Sequence, residues 1–130
     1  SSDLLGIPNL SQQANRQLRF WAEKHLYGLT KEQPPTALFT SQNLITIGAI
    51  RALQQLQLQQ KVALVGFDDF VLADLLTPPV TVIAQDPAAL GKAAAELLFA
   101  RLNGAQQPPQ HIVLQTKLIV RGSGEIAPQR

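Results

Sequence analysis

The sequence lacks several features on which protein chemistry often depends. It contains no cysteine, which excludes disulfide bonds and thiolate metal sites. Charged residues make up only 15% of its 130 residues, and the basic side chains behind the net charge of +2 are scattered, without a run or a stripe. Direct nucleic-acid binding by this chain is therefore not expected, because it requires a clustered basic surface.

Long apolar segments are also missing. No stretch approaches the roughly 20 apolar residues that a membrane span needs, so no membrane partner is expected. The first ten residues, SSDLLGIPNL, carry neither a basic segment nor a continuous apolar one, which argues against a targeting segment. A cytoplasmic location is the expectation, although an exported protein whose signal has been removed would have the same features.

Periodic apolar positions predict three helices. An amphipathic helix is expected from Ser11 to about Gly28, where apolar residues recur at steps of three and four. A second helix, over residues 43–58, is apolar on more than one stripe, which predicts either a second face buried against another chain or lobe, or a tightly covered core helix. Its glutamine-rich part, QQLQLQQ, keeps the leucines in helical phase and is predicted to be a solvated helix end. The third helix spans residues 87–103 and is capped by Asp86.

Continuous apolar segments between the helices predict buried strands. They cover residues 36–40, 61–67, 80–84 and 111–120. Strands of this kind alternating with helices imply an α/β fold, in which an open, mostly parallel sheet forms a three-layer arrangement with helices on both faces. The last ten residues, 121–130, are predicted to be a tail.

Polar clusters follow the first three strands. In such sheets ligands sit in the crevice beyond the carboxyl ends of the strands, so these clusters are the candidate site. Their side chains offer carboxylates and carboxamides but no lysine, arginine or histidine, which suits a neutral polyhydroxylated ligand and suits a phosphate badly. The clusters are Ser41-Gln42-Asn43, Phe67-Asp68-Asp69 and Gln85-Asp86.

Helix capping is the alternative explanation for several of these residues. Asn43 and Asp86 open helices and would cap them in any protein, and Asp69 can cap the turn that follows it. Capping explains Asp68 least, so Asp68 is the main candidate for binding a ligand.

Enzymatic and metal chemistry have less support. Side chains adjacent in sequence usually diverge, whereas an acid/base pair must face one substrate, which argues against Asp68 and Asp69 as a catalytic pair. Neither His25 nor His111 has a histidine four residues away, and no further oxygen ligand is close in sequence to Asp68, so no metal is expected. The prediction is therefore no cofactor and no enzymatic activity, with an enzyme that uses the two aspartates as a remaining alternative.

Three motifs in the second part of the chain resemble a known family. PPTALFTSQNLITIGAIRALQQL, VALVGFDDFVLADLLTPPVTVIAQDPAALGKAAAELL and LIVRGS occur in this order between residues 34 and 124. They resemble the effector-binding domain of the lactose/galactose repressor (LacI/GalR) family of bacterial transcription regulators. The resemblance implies a type I periplasmic-binding-protein-like fold, with two α/β lobes joined by crossover strands and a small effector bound between them.

The resemblance covers only part of such a regulator. It implies that residues 1–130 are a partial sensor domain, mainly the C-terminal lobe together with the crossover helix 87–103. The family's helix-turn-helix DNA-binding domain has no counterpart here, so operator DNA is expected to be bound only through a domain missing from this chain.

The resemblance also implies ligand contacts. The aspartate of the family motif V-G-[FY]-D corresponds to Asp68, and the glutamine that closes the third strand corresponds to Gln85. The family's polar pair after the first strand corresponds to Gln42 and Asn43. That pair is more commonly Asn-Asp, and the change to an amide removes a charged acceptor, so a ligand typical of the sugar-binding members cannot be assumed. Leu10 lies, in a loose alignment, where many members place an aromatic ring that stacks on the ligand.

The function that the resemblance implies is effector sensing within a homodimer. A small polar molecule of the sugar or nucleoside class would modulate operator binding. A periplasmic sugar-binding protein of an ABC transporter shares the fold and is the alternative.

The dimer contacts are expected at Leu44, Ile47, Arg51, Phe70 and Leu72. In the family, helix 87–103 packs on the first lobe, so its apolar face is expected to be exposed here. That face consists of Leu90, Ala94, Leu97 and Leu98.

Overall fold

The computed structural model describes residues 35–129, and its centre is a four-stranded sheet. The strand order is β1-β2-β3-β4, with the first three parallel and β4 antiparallel to β3. The mostly parallel open sheet predicted from the apolar segments is therefore confirmed. Leu10 and the helix predicted after Ser11 lie outside the described residues. The strands are β1 Ala37–Thr40, β2 Ala63–Phe67, β3 Thr81–Ala84 and β4 Lys117–Ile119.

The core lies between the sheet and the helix α1, Asn43–Gln55. Side chains alternate along a strand, so Leu64 and Val82 share one face, where they pack with Ala49 and Leu53 of α1. All four are nearly or completely inaccessible to solvent. Burial of this face is the reason that the strand predictions agree with the structure to within about two residues for the three parallel strands.

Gly66 allows α1 to lie close to the sheet. A Cβ atom at this position would be 2.7 Å from Thr46 Oγ1 and 2.9 Å from Thr46 Cγ2. Thr46 is fully buried, and its hydroxyl is 2.7 Å from that of Thr40 and bonds to the carbonyl of Gln42. The polar atoms at this close approach are therefore satisfied by one another, which is what burial requires.

The end of α1 differs from the prediction. The helix stops at Gln55, not within the following leucine-containing segment, because Gln57 adopts a left-handed conformation with φ of 56°. The N–H of Leu58 donates to the carbonyl of Leu53 at 2.8 Å, and that of Gln57 to Gln54 at 3.1 Å. This is the Schellman arrangement of a helix end. Leu58 then packs against the core, so tertiary packing overrides the helical phase of the sequence.

The chain after residue 110 also differs from the prediction. Only Lys117–Ile119 of the predicted strand 111–120 is a strand, because β3 ends at Ala84, which pairs with Lys117, and offers no partner to the preceding residues. The predicted tail is packed against the sheet, and it contains a short 3-10 helix, Ser123–Glu125. Ser123 is buried and its hydroxyl donates to the carbonyl of Leu64 at 2.6 Å.

The helix α2, Pro87–Leu102, stands apart from this core. Asp86 caps it as predicted, since Asp86 Oδ1 accepts the N–H of Ala89 at 2.9 Å. Within the described part of the chain, none of the α2 residues is buried. The predicted exposure of its apolar face is confirmed for Leu90 and Leu98, which are both more than half exposed. Of the two described α-helices, α1 is the one that packs on the sheet, so the described residues contain no second layer of α-helices.

Candidate functional site

The carboxyl ends of the three parallel strands define the candidate site. Because β1, β2 and β3 are neighbours that run in the same direction, the residues after them lie along one edge of the sheet. At this edge Gln85 Nε2 donates a hydrogen bond to Asp68 Oδ1 at 2.6 Å. Two of the residues predicted to bind a ligand, 17 positions apart in sequence, are thus in direct contact.

Asp68 has an unusual backbone conformation. Its φ is +77°, in the left-handed region that residues other than glycine rarely adopt, although aspartate tolerates it better than most. Its N–H donates to the carbonyl of Ile83 at 2.9 Å, which extends the pairing of β2 with β3 by one residue. Uncommon conformations of this kind are found preferentially at functional sites, where the surrounding structure maintains them.

The neighbouring aspartate has a different set of partners. Asp69 Oδ1 accepts the N–H of Phe70 at 2.9 Å, and both of its oxygens accept hydrogen bonds from the Arg121 guanidinium at 2.8 Å. These bonds from Arg121 hold the pKa of the Asp69 carboxyl below its ordinary value, against the opposing effect of partial burial. The hydrogen bond with Asp69 likewise raises the pKa of Arg121. The two aspartates therefore diverge as predicted. Asp68 contacts Gln85, whereas both carboxylate oxygens of Asp69 are bonded to Arg121.

Capping accounts for fewer of the polar residues than the sequence predicted. Asp86 caps α2, but the prediction for Asn43 is wrong, because Asn43 is the first residue inside α1 and Gln42 occupies the cap position. Among the described residues, the Gln42 side chain makes no capping hydrogen bond. The amides of Gln42 and Asn43 therefore sit at the same sheet edge as Asp68 without a role in capping, although no hydrogen bond joins them to it in the described part of the chain.

A cleft beside Gln85 adds residues that the sequence did not predict. It has a volume of about 420 Å³ and lies between the chain leaving β3 and the chain entering β4. Lys117 brings a positive charge to an edge whose predicted polar groups included none. The only sequence signal for it would have been the antiparallel register that pairs Ala84 with Lys117, and that register does not follow from an apolar pattern. The cleft is lined by Ala84, Gln85, Asp86, Pro87, Gln115, Thr116 and Lys117.

The chemistry of this edge is that of hydrogen bonding to a polar molecule. A carboxylate has two oxygens and about four acceptor positions, so Asp68 can accept ligand hydroxyls while Gln85 holds one of its oxygens. Carboxamides such as those of Gln42 and Asn43 both donate and accept.

Within residues 35–129, no group of three or more carboxylate or imidazole side chains could hold a metal ion. No helix in the same range is long and apolar enough to cross a membrane.

An open, mostly parallel sheet with a polar edge defines an α/β domain, and comparison with known proteins specifies the family. The sequence matches the periplasmic binding protein-like domain over residues 6–124, and the chain belongs to this family. The ribose operon repressor of Haemophilus influenzae is 37% identical over 97 residues, which make up 73% of this chain and 29% of that repressor. The chain thus spans less than a third of the length of this relative.

Solved structures agree with this assignment. A regulatory protein of the LacI family from Chloroflexus aggregans is 34% identical, with a TM-score of 0.68 over 84% of this chain and 39% of its own. The complex of the transcriptional regulator CelR with cellobiose gives a TM-score of 0.73 at 29% identity, over 85% of this chain and 33% of the regulator. The resemblance stated from the motifs is confirmed: the chain corresponds to part of a LacI/GalR effector-binding domain.

Proposed function

We propose that this chain is the effector-sensing and dimerisation part of a LacI/GalR-type transcriptional regulator. Its ligand is a small polar molecule of the sugar or nucleoside class, bound at the sheet edge by Asp68, Gln42, Asn43 and Gln85. The observation that carries the proposal is the contact between Asp68 and Gln85, with Asp68 in a conformation that turns it away from the regular strand. The proposal also includes a cytoplasmic location, where such a regulator meets DNA, and no enzymatic activity.

The proposed mechanism is a shift between two conformations. Ligand binds the closed arrangement of the lobes more tightly than the open one, and this difference in affinity changes the geometry that the dimer offers to DNA. Operator DNA is contacted by a separate DNA-binding domain. Gln85 lies where the chain leaves the sheet for α2, so a ligand held by Gln85 and Asp68 contacts the segment that joins the two lobes.

The face of α1 turned away from the sheet supports the proposed homodimer. Leu44, Ile47 and Arg51 recur at steps of three and four residues, and none of them is buried, whereas Ala49 and Leu53 fill the core. Leu72 is 58% exposed in the loop after β2. Phe70 packs partly against the core, so it supports the interface less directly than Leu72 does. Leu44 and Ile47 are half-buried, and apolar side chains left partly or largely accessible in this way are typical of association surfaces.

Ligand-dependent stabilisation tests the proposed binding site. The melting temperature would be measured for the 130-residue chain and for its Asp68→Asn variant. Each would be melted without ligand and with D-ribose, D-galactose, cellobiose or adenosine. A ligand at a hundred times its Kd stabilises the native state by about 2.7 kcal/mol. Because hydrogen bonds to a charged group contribute roughly 1.5–3 kcal/mol, Asp68→Asn should weaken binding roughly 10- to 100-fold.

The matched control is Asp74→Asn, which removes an exposed carboxylate from the same loop. It should leave the affinity unchanged. Equal affinity in wild type and Asp68→Asn would contradict the assignment of Asp68. The absence of stabilisation by every compound would contradict ligand binding by this chain.

A further inference from the structure

We propose that Arg121 is a positioning residue for the ligand-binding carboxylate. In this proposal, its ion pair with Asp69 keeps Asp68 in the conformation from which Asp68 meets Gln85. The role in ligand affinity rests on the proposed function, whereas the role in holding the loop does not.

The ion pair has the geometry of a fixed contact. One guanidinium nitrogen of Arg121 bonds to Asp69 Oδ1 and the other to Oδ2, both at 2.8 Å, and the first also donates to the carbonyl of Val80 at 3.1 Å. The Arg121 side chain is only 17% exposed, compared with 37% for Asp69. A bidentate pair of this type fixes both distance and orientation, because two parallel N–H···O bonds join the planar guanidinium to the planar carboxylate.

Arg121 is itself held by the sheet. Its N–H donates to the hydroxyl of Thr81 at 3.0 Å, in the buried first position of β3. Two residues further on, the Ser123 hydroxyl accepts the N–H of Thr81 at 2.9 Å and donates to the carbonyl of Leu64. The segment 121–123 is therefore bonded to both β2 and β3. Asp69 is consequently fixed by way of Arg121 to the most buried part of the sheet.

The loop that carries Asp68 has a reason to need this support. Asp68 and Leu72 both have positive φ, at 77° and 73°, and neither is glycine. The N–H of Asp68 is held by Ile83 on one side, and Asp69 is held by Arg121 on the other. A non-glycine residue stays in this region of conformation only where its surroundings maintain it. Without the ion pair, Asp68 would keep its bond to Ile83 and its contact with Gln85, but the residue that follows it would lose its anchor on the sheet.

Amide hydrogen exchange tests the positioning role without any ligand. The exchange rate of the Asp68 amide would be measured in wild type, Arg121→Gln, Asp69→Asn and the double variant. We expect it to rise at least tenfold in each single variant, and no further in the double variant, because both changes break the same pair. The core amides of Leu64 and Val82 report global unfolding. If the exchange rate of the Asp68 amide rises only in proportion to the rates of these core amides, the proposal is overturned.

Two further variants make the result specific. Lys92→Gln removes an exposed cation from the pair with Glu96 on α2, at 3.9 Å, and should leave the Asp68 amide unchanged. Arg121→Lys retains the charge but not the planar fork, so it should give an intermediate exchange rate and serves if Arg121→Gln fails to fold. An Arg121→Lys rate as fast as that of Asp69→Asn would overturn the role of bidentate geometry.

Ligand affinity provides the functional measurement. With whichever of D-ribose, D-galactose, cellobiose or adenosine stabilises the wild-type chain, Arg121→Gln should raise the Kd at least tenfold at a temperature where the variant is fully folded. A residue that only stabilised the fold would lower the melting temperature and leave this Kd unchanged. If none of the compounds binds the wild-type chain, the proposed function fails, and the exchange rates still decide whether Arg121 positions Asp68.

Discussion

Two glutamines at the end of α1 should respond in opposite ways to the same substitution. Gln57 is left-handed, with φ of 56°, and it stands at the position after a helix where glycine is the preferred residue. The left-handed region costs a residue with a Cβ atom about 1–2 kcal/mol. Glycine avoids this cost but has more freedom in the unfolded chain, which offsets roughly 0.4–1 kcal/mol. Gln57→Gly should therefore raise the free energy of unfolding by about 0.5–1 kcal/mol.

Gln55 provides the matched control, because it is the last residue inside the same helix. Glycine has a lower helix propensity than glutamine, and at position 55 it relieves no left-handed conformation. Gln55→Gly should therefore lower the free energy of unfolding by about 0.5–1 kcal/mol. Urea unfolding measures both. With a slope of roughly 1–2 kcal/mol/M, the two midpoints should lie about 1 M apart, with Gln57→Gly the higher. Similar losses in both variants would refute the left-handed end of α1.

Two further predictions concern the sheet and the loop after β2. Gly66→Ala should destabilise the protein by roughly 1–3 kcal/mol in urea unfolding, because its methyl group would overlap the buried hydroxyl of Thr46; a neutral result would show that α1 can move away from the sheet. The pKa of Asp69 is lower in the folded than in the unfolded state, so its stabilisation is present above the unfolded pKa and is lost as the pH falls through the folded one. The difference in unfolding free energy between wild type and Asp69→Asn should thus be constant above about pH 5 and shrink below about pH 4; a difference that persists unchanged at pH 2.5 would contradict it.

The parallel strands were predictable because burial alone determines them. Leu64 and Val82 lie in continuous apolar segments, and a segment of that composition has few alternatives to the interior of a parallel sheet. The helix α1 accounts for the parallel direction of β1 and β2, whereas β2 and β3 are joined by the loop 68–80. The parallel pairing of β2 with β3 brings Asp68 and Gln85 to one edge. This part of the candidate site could be located without any motif, from the rule that ligands bind beyond the carboxyl ends of parallel strands.

The remaining features depend on contacts between residues far apart in sequence. Asp69 and Arg121 are 52 positions apart, and Ser123 is 59 positions from the carbonyl of Leu64 that it bonds to. No apolar periodicity marks Arg121 or Ser123, so the last ten residues were predicted to be a tail. The end of α1 was missed for a related reason, because Leu58 fits the helical phase locally but packs on the core instead. Lys117 was missed because it reaches the cleft through an antiparallel pairing.

The adjacent carboxylates of the VGFDDF segment can now be assigned separate tasks on physical grounds. Two like charges on neighbouring residues at the edge of a sheet repel each other, and a polar ligand that met both would have to tolerate two negative charges. Arg121 compensates the charge of Asp69 and turns that side chain toward β3, while Asp68 meets Gln85, a neutral donor. Arg121 therefore leaves the charge of Asp68 uncompensated, and hydroxyl donors of a ligand can bond to this carboxylate. In the proposed roles, Asp69 contributes to binding through the backbone of Asp68, so replacement of Asp69 should lower ligand affinity without removing any atom that touches the ligand.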